Sequence, residues 1–277
     1  MGDRTTTDHP ERHRRKLYGR RKGPKLSAHQ DRLIETLLPQ LALRLEQGRD
    51  PKTYFSPPPC GEVGERSDPG GGPLIIASTA PDPKSSSTFS GRHAGTTSTP
   101  QGEVSDVWLE VGFGAGEHLL WQAEHHPHVG MIGAEPYISG VAKLLSKLDE
   151  NPLPNIRLHS DDARDIIEAL PDASIGLVFI LFPDPWPKTR HHKRRFVQTA
   201  LLDALARVMR PGAEFRFASD DAPYFEWTLE RICAHPAFEW TATSAADWLA
   251  RPQGWPQTRY EAKELHGKPA YLKAIRR

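Results

Sequence analysis

The segment with the clearest chemical potential is a proline-rich turn that leads directly into a run of cations. Residues 183–187 read Pro-Asp-Pro-Trp-Pro, and residues 188–195 then hold five Lys or Arg and no acid. The apolar run 175–181 before the turn is typical of a buried parallel strand. Open α/β sheets bind ligands beyond the carboxyl ends of such strands. The pattern therefore predicts a carboxylate, Asp184, and an indole ring, Trp186, beside a phosphate-binding surface. The alternative interpretation is that the segment is a proline-rich loop followed by the solvated, basic start of a helix, without a binding role.

A glycine-rich turn, Glu-Val-Gly-Phe-Gly-Ala-Gly-Glu at residues 110–117, indicates a second binding element. Glycines such as Gly112 and Gly114 allow a tight turn and a close approach of the backbone to a ligand. A pyrophosphate favours a helix N-terminus with cations, whereas Glu110 and Glu117 flank this turn and it holds no Lys or Arg. A ligand that carries positive charge, such as S-adenosylmethionine, is therefore expected here. Glu117 also suits the helix dipole.

Acidic residues follow three successive predicted strands. Glu110 ends the first, Glu135 follows the second, and Asp162 follows the third. A carboxylate at position 135 can accept hydrogen bonds from both hydroxyls of a ribose, and one at position 162 can accept from an adenine amine. Asp161 is an alternative to Asp162 for the last contact.

The elements that must position these residues alternate between strands and helices. Strands are predicted at 107–111, 130–134, 156–159, 175–181 and 214–218, and helices at 117–125, 139–148, 164–170, 196–209 and 223–235. Such alternation predicts an α/β fold with a Rossmann-like, doubly wound, mostly parallel sheet. Segments 238–242 and 270–275 are expected to add an antiparallel closing pair.

Composition divides the chain into three parts. Residues 1–50 form a basic arm and a helix, for which Ser27 and Gln30 provide a capping box and Pro39 an end. Residues 51–103 are predicted to be a disordered linker, since 29 of the 48 residues from 56 to 103 are Pro, Gly, Ser or Thr. Residues 104–277 form the predicted catalytic domain.

Bulk composition excludes several classes of protein. The net charge is +1 and there are two cysteines, far apart in the sequence, which disfavours a disulfide framework and a thiolate metal site. The N-terminal residues lack the apolar core of a secretory signal, and no apolar run is long enough for a membrane span. We therefore expect a cytoplasmic protein without a metal or a membrane association. The sequence leaves the oligomeric state open, and a monomer is compatible with it.

The proline-rich turn and the basic run together resemble the signature of the tRNA (guanine-N7)-methyltransferases. The matching residues are Pro183-Asp184-Pro185-Trp186, Lys188, Arg190-His191 and Lys193-Arg194-Arg195. The resemblance implies a class I methyltransferase fold that transfers a methyl group from S-adenosylmethionine to N7 of a guanine in the tRNA variable loop. It also implies that Glu110, Glu135, Asp162 and Asp184 bind the cofactor and that Asp184 is catalytic.

Two further motifs extend the resemblance to the substrate side. Ala218-Ser219-Asp220 is similar to an Ala-Thr-Asp motif of the family, and the segment 258–263 with Gly267 matches a motif near the C-terminus. The substrate-binding residues that the resemblance implies are Lys188 of the signature and Asp220, Thr258, Arg259, Tyr260 and Glu261 of these two motifs. We expect Glu261 to discriminate guanine by accepting from N1–H and the exocyclic amine.

The basic run is predicted to contact RNA phosphates. Its members are Arg190, His191, His192, Lys193, Arg194 and Arg195. Guanine N7 has no proton to lose, so Asp184 is expected to orient the reactants and stabilise positive charge rather than act as a strong base. Trp186 can stack on a base or cover the cofactor. Two other hypotheses are a methyltransferase for exocyclic amines of nucleic acids and a non-catalytic RNA-binding subunit.

Overall fold

A computed structural model describes residues 23–56, 104–253, 255–263 and 265–277. Its centre is a seven-stranded sheet in the order β3-β2-β1-β4-β5-β7-β6. The strands are β1 (Asp106–Val111), β2 (Val129–Ala134), β3 (Ile156–His159), β4 (Ile175–Leu181), β5 (Met209–Ser219), β6 (Phe238–Trp240) and β7 (Ala270–Arg276). Strands β1 to β5 pair in parallel, whereas β7 is antiparallel to both β5 and β6. This confirms the predicted doubly wound sheet and its antiparallel closing pair.

Eight α-helices accompany the sheet within the described residues. They are α1 (Ala28–Thr36), α2 (Leu38–Leu41), α3 (Glu117–His125), α4 (Ile138–Glu150), α5 (Ala163–Ala169), α6 (Thr199–Val208), α7 (Ala222–Ala234) and α8 (Ala246–Leu249). One buried cluster joins α3 and α4 to the sheet, and a second joins α5, α6 and α7 to it. The chain leaves β1 toward β2 and β3 on one side and toward β4 and β5 on the other, so a crevice opens between the carboxyl ends of β1 and β4.

The prediction of a helix at 196–209 is wrong at both of its ends. Residues Thr189–Arg194 form a 3₁₀ helix, and α6 begins only at Thr199. Val197 is held outside the helix because its N–H donates to the Tyr224 hydroxyl and its carbonyl accepts from the Trp227 indole. At the other end, Met209 already belongs to β5. Contacts with α7 thus override the local helical pattern.

The N-terminal segment packs on the sheet domain. The capping box of α1 is confirmed, since Ser27 Oγ accepts from Gln30 N–H and Gln30 Oε1 accepts from Ser27 N–H. Leu33 is buried in the cluster under α4. Farther along the chain, Ala42 forms an isolated parallel β-bridge with Leu158 of β3. The segment therefore covers one edge of the sheet.

The start of the predicted linker needs correction. Residues Pro51–Tyr54 form a 3₁₀ helix, and Phe55 is buried against Gly130, where a Cβ atom would lie 2.4 Å from the phenyl ring. The aromatic ring thus gives residues 51–55 a place in the core that composition alone did not indicate. The basic arm at 1–22 and the rest of the predicted linker lie outside the described residues. No helix in the described part is long and apolar enough to cross a membrane.

Because α1 is capped and docked, Ser27→Ala should lower the free energy of unfolding by about 1 kcal/mol. The loss arises because the Gln30 N–H loses its acceptor. Urea denaturation followed by circular dichroism measures it, with Thr199→Ala at an exposed helix start that lacks a side-chain cap as the control. An unchanged midpoint would mean that α1 detaches before the domain unfolds.

Candidate active site

The polar residues that follow the strands meet around two adjoining cavities at the carboxyl edge of the sheet. The larger, of about 760 Å³, is lined by Glu135, Asp162, Asp184 and Trp186 among others. The smaller, of about 180 Å³, is lined by Glu110 and Glu117. The volume of the larger cavity lies within the range typical of small-molecule sites. Four predicted cofactor carboxylates are thus brought to one crevice.

The glycine turn forms the wall shared by the two cavities. Gly112 and Gly114 have φ of 76° and 57°, a conformation that side chains rarely tolerate. Helix α4 packs closely against the turn, and a Cβ atom on Gly140 would lie 2.4 Å from the carbonyl oxygen of Gly114. The turn therefore presents bare backbone to both cavities, as the sequence pattern predicted.

Glu135 joins the end of β2 to the glycine turn. Its Oε2 accepts from Gly114 N–H and its Oε1 accepts from Tyr137 N–H, both at 2.8 Å. Burial raises the pKa of Glu135, the two backbone donors oppose that rise, and Asp184 and Glu110 add to it. A carboxylate so oriented retains lone pairs for hydroxyl donors of a ligand.

Glu110 is only 2% exposed and is oriented by a buried histidine. Its Oε2 lies 2.8 Å from His118 Nδ1, and His118 Nε2 lies 3.0 Å from Gln122 Nε2. Since a carboxylate only accepts, Nδ1 carries the proton and Nε2 accepts from the Gln122 amide. Sequence reasoning missed His118 and Gln122, although their spacing of four on α3 placed them on one helix face.

Asp162 occupies the position predicted for an adenine contact but is engaged by its own chain. It caps α5 by accepting from Arg164 N–H, and the Arg164 guanidinium binds both of its oxygens at 2.6 to 3.0 Å. The carboxylate nevertheless lines the larger cavity. Asp161 does not line either cavity among the described residues.

The proline-rich turn carries Asp184 in a strained backbone. Phe182 and Trp186, on either side of Asp184, have φ of 50° and 47°. Such values cost non-glycine residues about 1–3 kcal/mol each and occur at functional sites. The prolines supply no N–H, and the start of the turn is held by a hydrogen bond from Phe182 N–H to the Ala218 carbonyl. Asp184 is exposed and lines the larger cavity.

The basic run forms the 3₁₀ helix that follows the turn. Lys188, Arg190 and Lys193 are exposed, whereas His191 and His192 are partly buried. Desolvation and the neighbouring cations, Arg194 first among them, lower the pKa of His191. The direction of this shift favours the neutral form of the His191 imidazole. Arg194 lines the larger cavity and lies 4.9 Å from the centre of the Trp186 ring.

The prediction that Arg195 belongs to the phosphate-binding surface is contradicted by its burial. Arg195 is 2% exposed, and its Nε and Nη1 donate to the carbonyls of Pro185 and Pro223. The signature placed it among cations, and no sequence feature distinguished it from them. The partners that bury it come from α7, about thirty residues away along the chain.

The C-terminal motif lies across the glycine turn. Thr258, Arg259 and Tyr260 line the smaller cavity, and Tyr260 also lines the larger one. Arg259 N–H donates to Glu117 Oε2 at 2.8 Å. The Tyr260 side chain is 55% exposed. All three predicted substrate residues thus border the smaller cavity, and Tyr260 alone of the three borders both.

Glu261 does not line either cavity among the described residues, and its predicted contact with a guanine remains a prediction. It is buried, its Oε1 accepts from the Tyr271 hydroxyl and pairs with Arg251 Nε at 2.9 Å, and its Oε2 accepts from Thr258 N–H. Burial and the Glu261 carboxylate raise the pKa of Tyr271. Glu261 therefore secures the motif to β7.

Asp220 also contacts the C-terminal segment. Its Oδ2 accepts from His266 N–H at 3.1 Å, and it does not line either cavity among the described residues. Its predicted substrate contact remains a prediction. No cluster of three His, Cys, Asp or Glu suited to a metal ion occurs in the described ranges.

Comparison with known proteins gives consistent matches. A family model described as "Putative methyltransferase" matches residues 105–274. A tRNA (guanine-N(7)-)-methyltransferase of Rhodospirillum rubrum is 46% identical over 259 residues, which cover 93% of this chain and 86% of the relative. One of Brucella abortus (strain 2308) is 42% identical over 274 residues, which cover 98% of each chain. Among solved structures, the 16S rRNA methyltransferase KamB is 19% identical with a TM-score of 0.46, covering 63% of this chain and 89% of that one.

Proposed function

This chain belongs to the tRNA (guanine-N7)-methyltransferase family, and we propose that it transfers a methyl group from S-adenosylmethionine to N7 of a guanine in the variable loop of tRNA. The family predicted from the signature is confirmed by relatives that match nearly the whole chain. The observation that carries the proposal is the set of carboxylates around a crevice at the switch point of the sheet, next to exposed cations.

The donor set of the crevice fits S-adenosylmethionine. Glu110, Glu117, Glu135 and Asp184 line the two cavities and suit a sulfonium, an ammonium and ribose hydroxyls. The same acids would repel a pyrophosphate. When bound, the cofactor supplies a methyl group on positively charged sulfur. Glu135, preoriented by two backbone donors, is the residue proposed to accept the ribose hydroxyls, and Glu110 is proposed to attract the ammonium.

The residues of the turn are proposed to position the guanine and to stabilise its charge. Guanine N7 attacks through a lone pair and needs no base, while the purine becomes positive as the bond forms. The Asp184 carboxylate, at the larger cavity, is placed to stabilise that charge. Trp186 lines the same cavity and offers a ring on which a base can stack. Arg190, Lys193 and Arg194 are proposed to bind phosphates of the tRNA backbone.

The assay that tests this proposal uses the purified full chain with methyl-labelled S-adenosylmethionine and unmodified tRNA. Digestion to nucleosides should yield labelled 7-methylguanosine, and sequencing should place it in the variable loop. Label on an exocyclic amine would indicate the other class of methyltransferase. Binding of tRNA without binding of S-adenosylmethionine would indicate a non-catalytic subunit.

Glu110→Gln should weaken S-adenosylmethionine binding by about 1.5–3 kcal/mol, because a charged hydrogen bond to the cofactor is lost. Affinity for tRNA should change little, since Glu110 is buried below the glycine turn. Isothermal titration calorimetry with each ligand measures both. Glu124→Gln, an exposed acid on the same helix as His118, is the matched control. If the two variants bound the cofactor with equal affinity, Glu110 would not be a cofactor-binding residue.

A further inference from the structure

Arg195 stands apart from the other cations of the basic run. It is 2% exposed, and its Nη2, which has no hydrogen-bond partner among the described residues, has less than 1 Å² of accessible surface. An arginine that binds a phosphate must present its guanidinium to solvent or to the ligand. Arg195 has no such surface, so a phosphate contact does not explain the residue.

The side chain of Arg195 links the proline-rich turn to the start of α7. Nε donates to the Pro185 carbonyl at 2.9 Å, and Nη1 donates to the Pro223 carbonyl at 3.2 Å. The guanidinium lies 4.9 Å from the centre of the Tyr224 ring and 5.1 Å from that of Trp227. Carbonyl dipoles and π faces thus stabilise a buried cation.

The hydrogen bond from Arg195 fixes a turn that has few backbone hydrogen bonds of its own. Pro183, Pro185 and Pro187 lack an N–H, so the turn cannot form a ladder of backbone hydrogen bonds. Phe182 and Trp186 have positive φ, and such a conformation persists only where surrounding contacts impose it. Phe182 is fixed to β5 at one end. The Pro185 carbonyl, directly after Asp184, is fixed by Arg195 at the other.

The platform under Arg195 is itself rigid. Tyr224 is fully buried, and burial raises its pKa to about 12. Its hydroxyl accepts from Val197 N–H, while the Trp227 indole donates to the Val197 carbonyl. The two side chains therefore fix the backbone of Val197, two residues beyond Arg195, by hydrogen bonds. If the guanidinium moved, the Pro185 carbonyl bound to it would move as well, and so would the adjoining Asp184.

We propose that Arg195 is a positioning residue that holds Asp184 at the reaction centre through the Pro185 carbonyl and makes no contact with RNA. This inference rests on the proposed function for the role of Asp184. A misplacement of about 1 Å in a reacting group can cost about 100-fold in rate, so Arg195 should affect turnover strongly and tRNA affinity weakly.

The first test compares Arg195→Lys with Arg231→Lys. Arg231 lies 3.2 Å from the centre of the same Trp227 ring but donates to its own helix, so its variant perturbs the ring without touching the turn. Arg195→Lys should lower the single-turnover rate about 100-fold and leave the slope of tRNA affinity against salt unchanged. Arg231→Lys should keep the wild-type rate. Equal losses in both variants, or a slope lowered by about 0.7–0.9 in Arg195→Lys, would overturn the proposal.

A double variant tests whether Arg195 acts through Asp184. If it does, Arg195→Lys combined with Asp184→Asn should be no slower than Asp184→Asn alone, because the coupled effects are not additive. Multiplied losses would show an independent role and contradict the proposal. Inactivity of the wild-type chain on tRNA would instead refute the proposed function.

Wild-type protein provides a measurement that does not depend on the folding of a variant. Phenylglyoxal modifies accessible arginines, and mass spectrometry locates the modified residues. Arg190, which is exposed, should react in the free protein and be protected by tRNA. Arg195 should be unreactive in both states. Modification of Arg195 that tRNA prevents would show that it belongs to the RNA-binding surface after all.

Discussion

Asp184→Asn should lower the single-turnover rate of tRNA methylation about 100- to 1000-fold, the range for loss of a preorganised electrostatic contact. The amide has nearly the same shape but lacks the charge that stabilises a purine becoming positive. The strained turn keeps the side chain at the larger cavity, so the variant should lose charge without losing position. Affinity for tRNA should remain within about threefold, because Asp184 repels phosphates rather than binding them.

Rapid-quench measurements at saturating cofactor and tRNA isolate this step from product release. Asp172→Asn is the matched control, since Asp172 precedes the same strand at its other end and pairs with Arg207 on the surface. That control should react at the wild-type rate. A wild-type rate in Asp184→Asn would show that the carboxylate takes no part in methyl transfer.

Simultaneous replacement of Arg190, Lys193 and Arg194 with Ala should flatten the salt dependence of tRNA binding. Each lost phosphate contact lowers the slope of log affinity against log salt by about 0.7 to 0.9, so three contacts should lower it by about 2 to 3. The loss should be similar for tRNAs of different sequence, because phosphates carry no base information. Cofactor affinity should change little.

A control with the same change in net charge is available at the opposite edge of the sheet. Lys52 lies in the 3₁₀ helix Pro51–Tyr54, Lys147 in the last turn of α4 and Arg277 directly after β7, all toward the amino ends of the parallel strands. Their replacement with Ala should leave the slope unchanged. Parallel lines for all three proteins would mean that the basic run is only a solvated surface.

The N-terminal segment shows the limit of compositional reasoning. The capping box at Ser27 was readable because it depends on residues three apart. The burial of Phe55 was not readable, because it depends on a gap above Gly130 that exists only after β2 is in the sheet. The predicted linker, placed from Pro, Gly and Ser content, was therefore given a start several residues too close to the N-terminus.

The carboxylates show the same division within the site. Glu135 and Asp184 were placed correctly at the crevice because each follows an apolar run, and parallel strands bring their carboxyl ends to one edge. The sequence did not show that Glu110 is oriented by His118, or that Asp162 is bound by Arg164. Glu261 matched a motif yet is buried against β7, which reaches it only through the antiparallel pairing with β5.

The sequence by itself determined the family, the strand and helix order, and the crevice at which the glycine turn and the proline-rich turn meet. The family follows from the resemblance of the 183–195 segment to a known signature. The element order and the crevice follow from periodicity and from residue types a few positions apart, which act through local sterics and burial. The tertiary structure alone decided which charged side chains face solvent and which are buried. Arg194 and Arg195 are neighbours of one residue type, yet one lies at the cavity and the other is enclosed between Tyr224 and Trp227. That difference arises because burial depends on partners distant in the chain, and those partners meet only when the sheet and α7 have assembled.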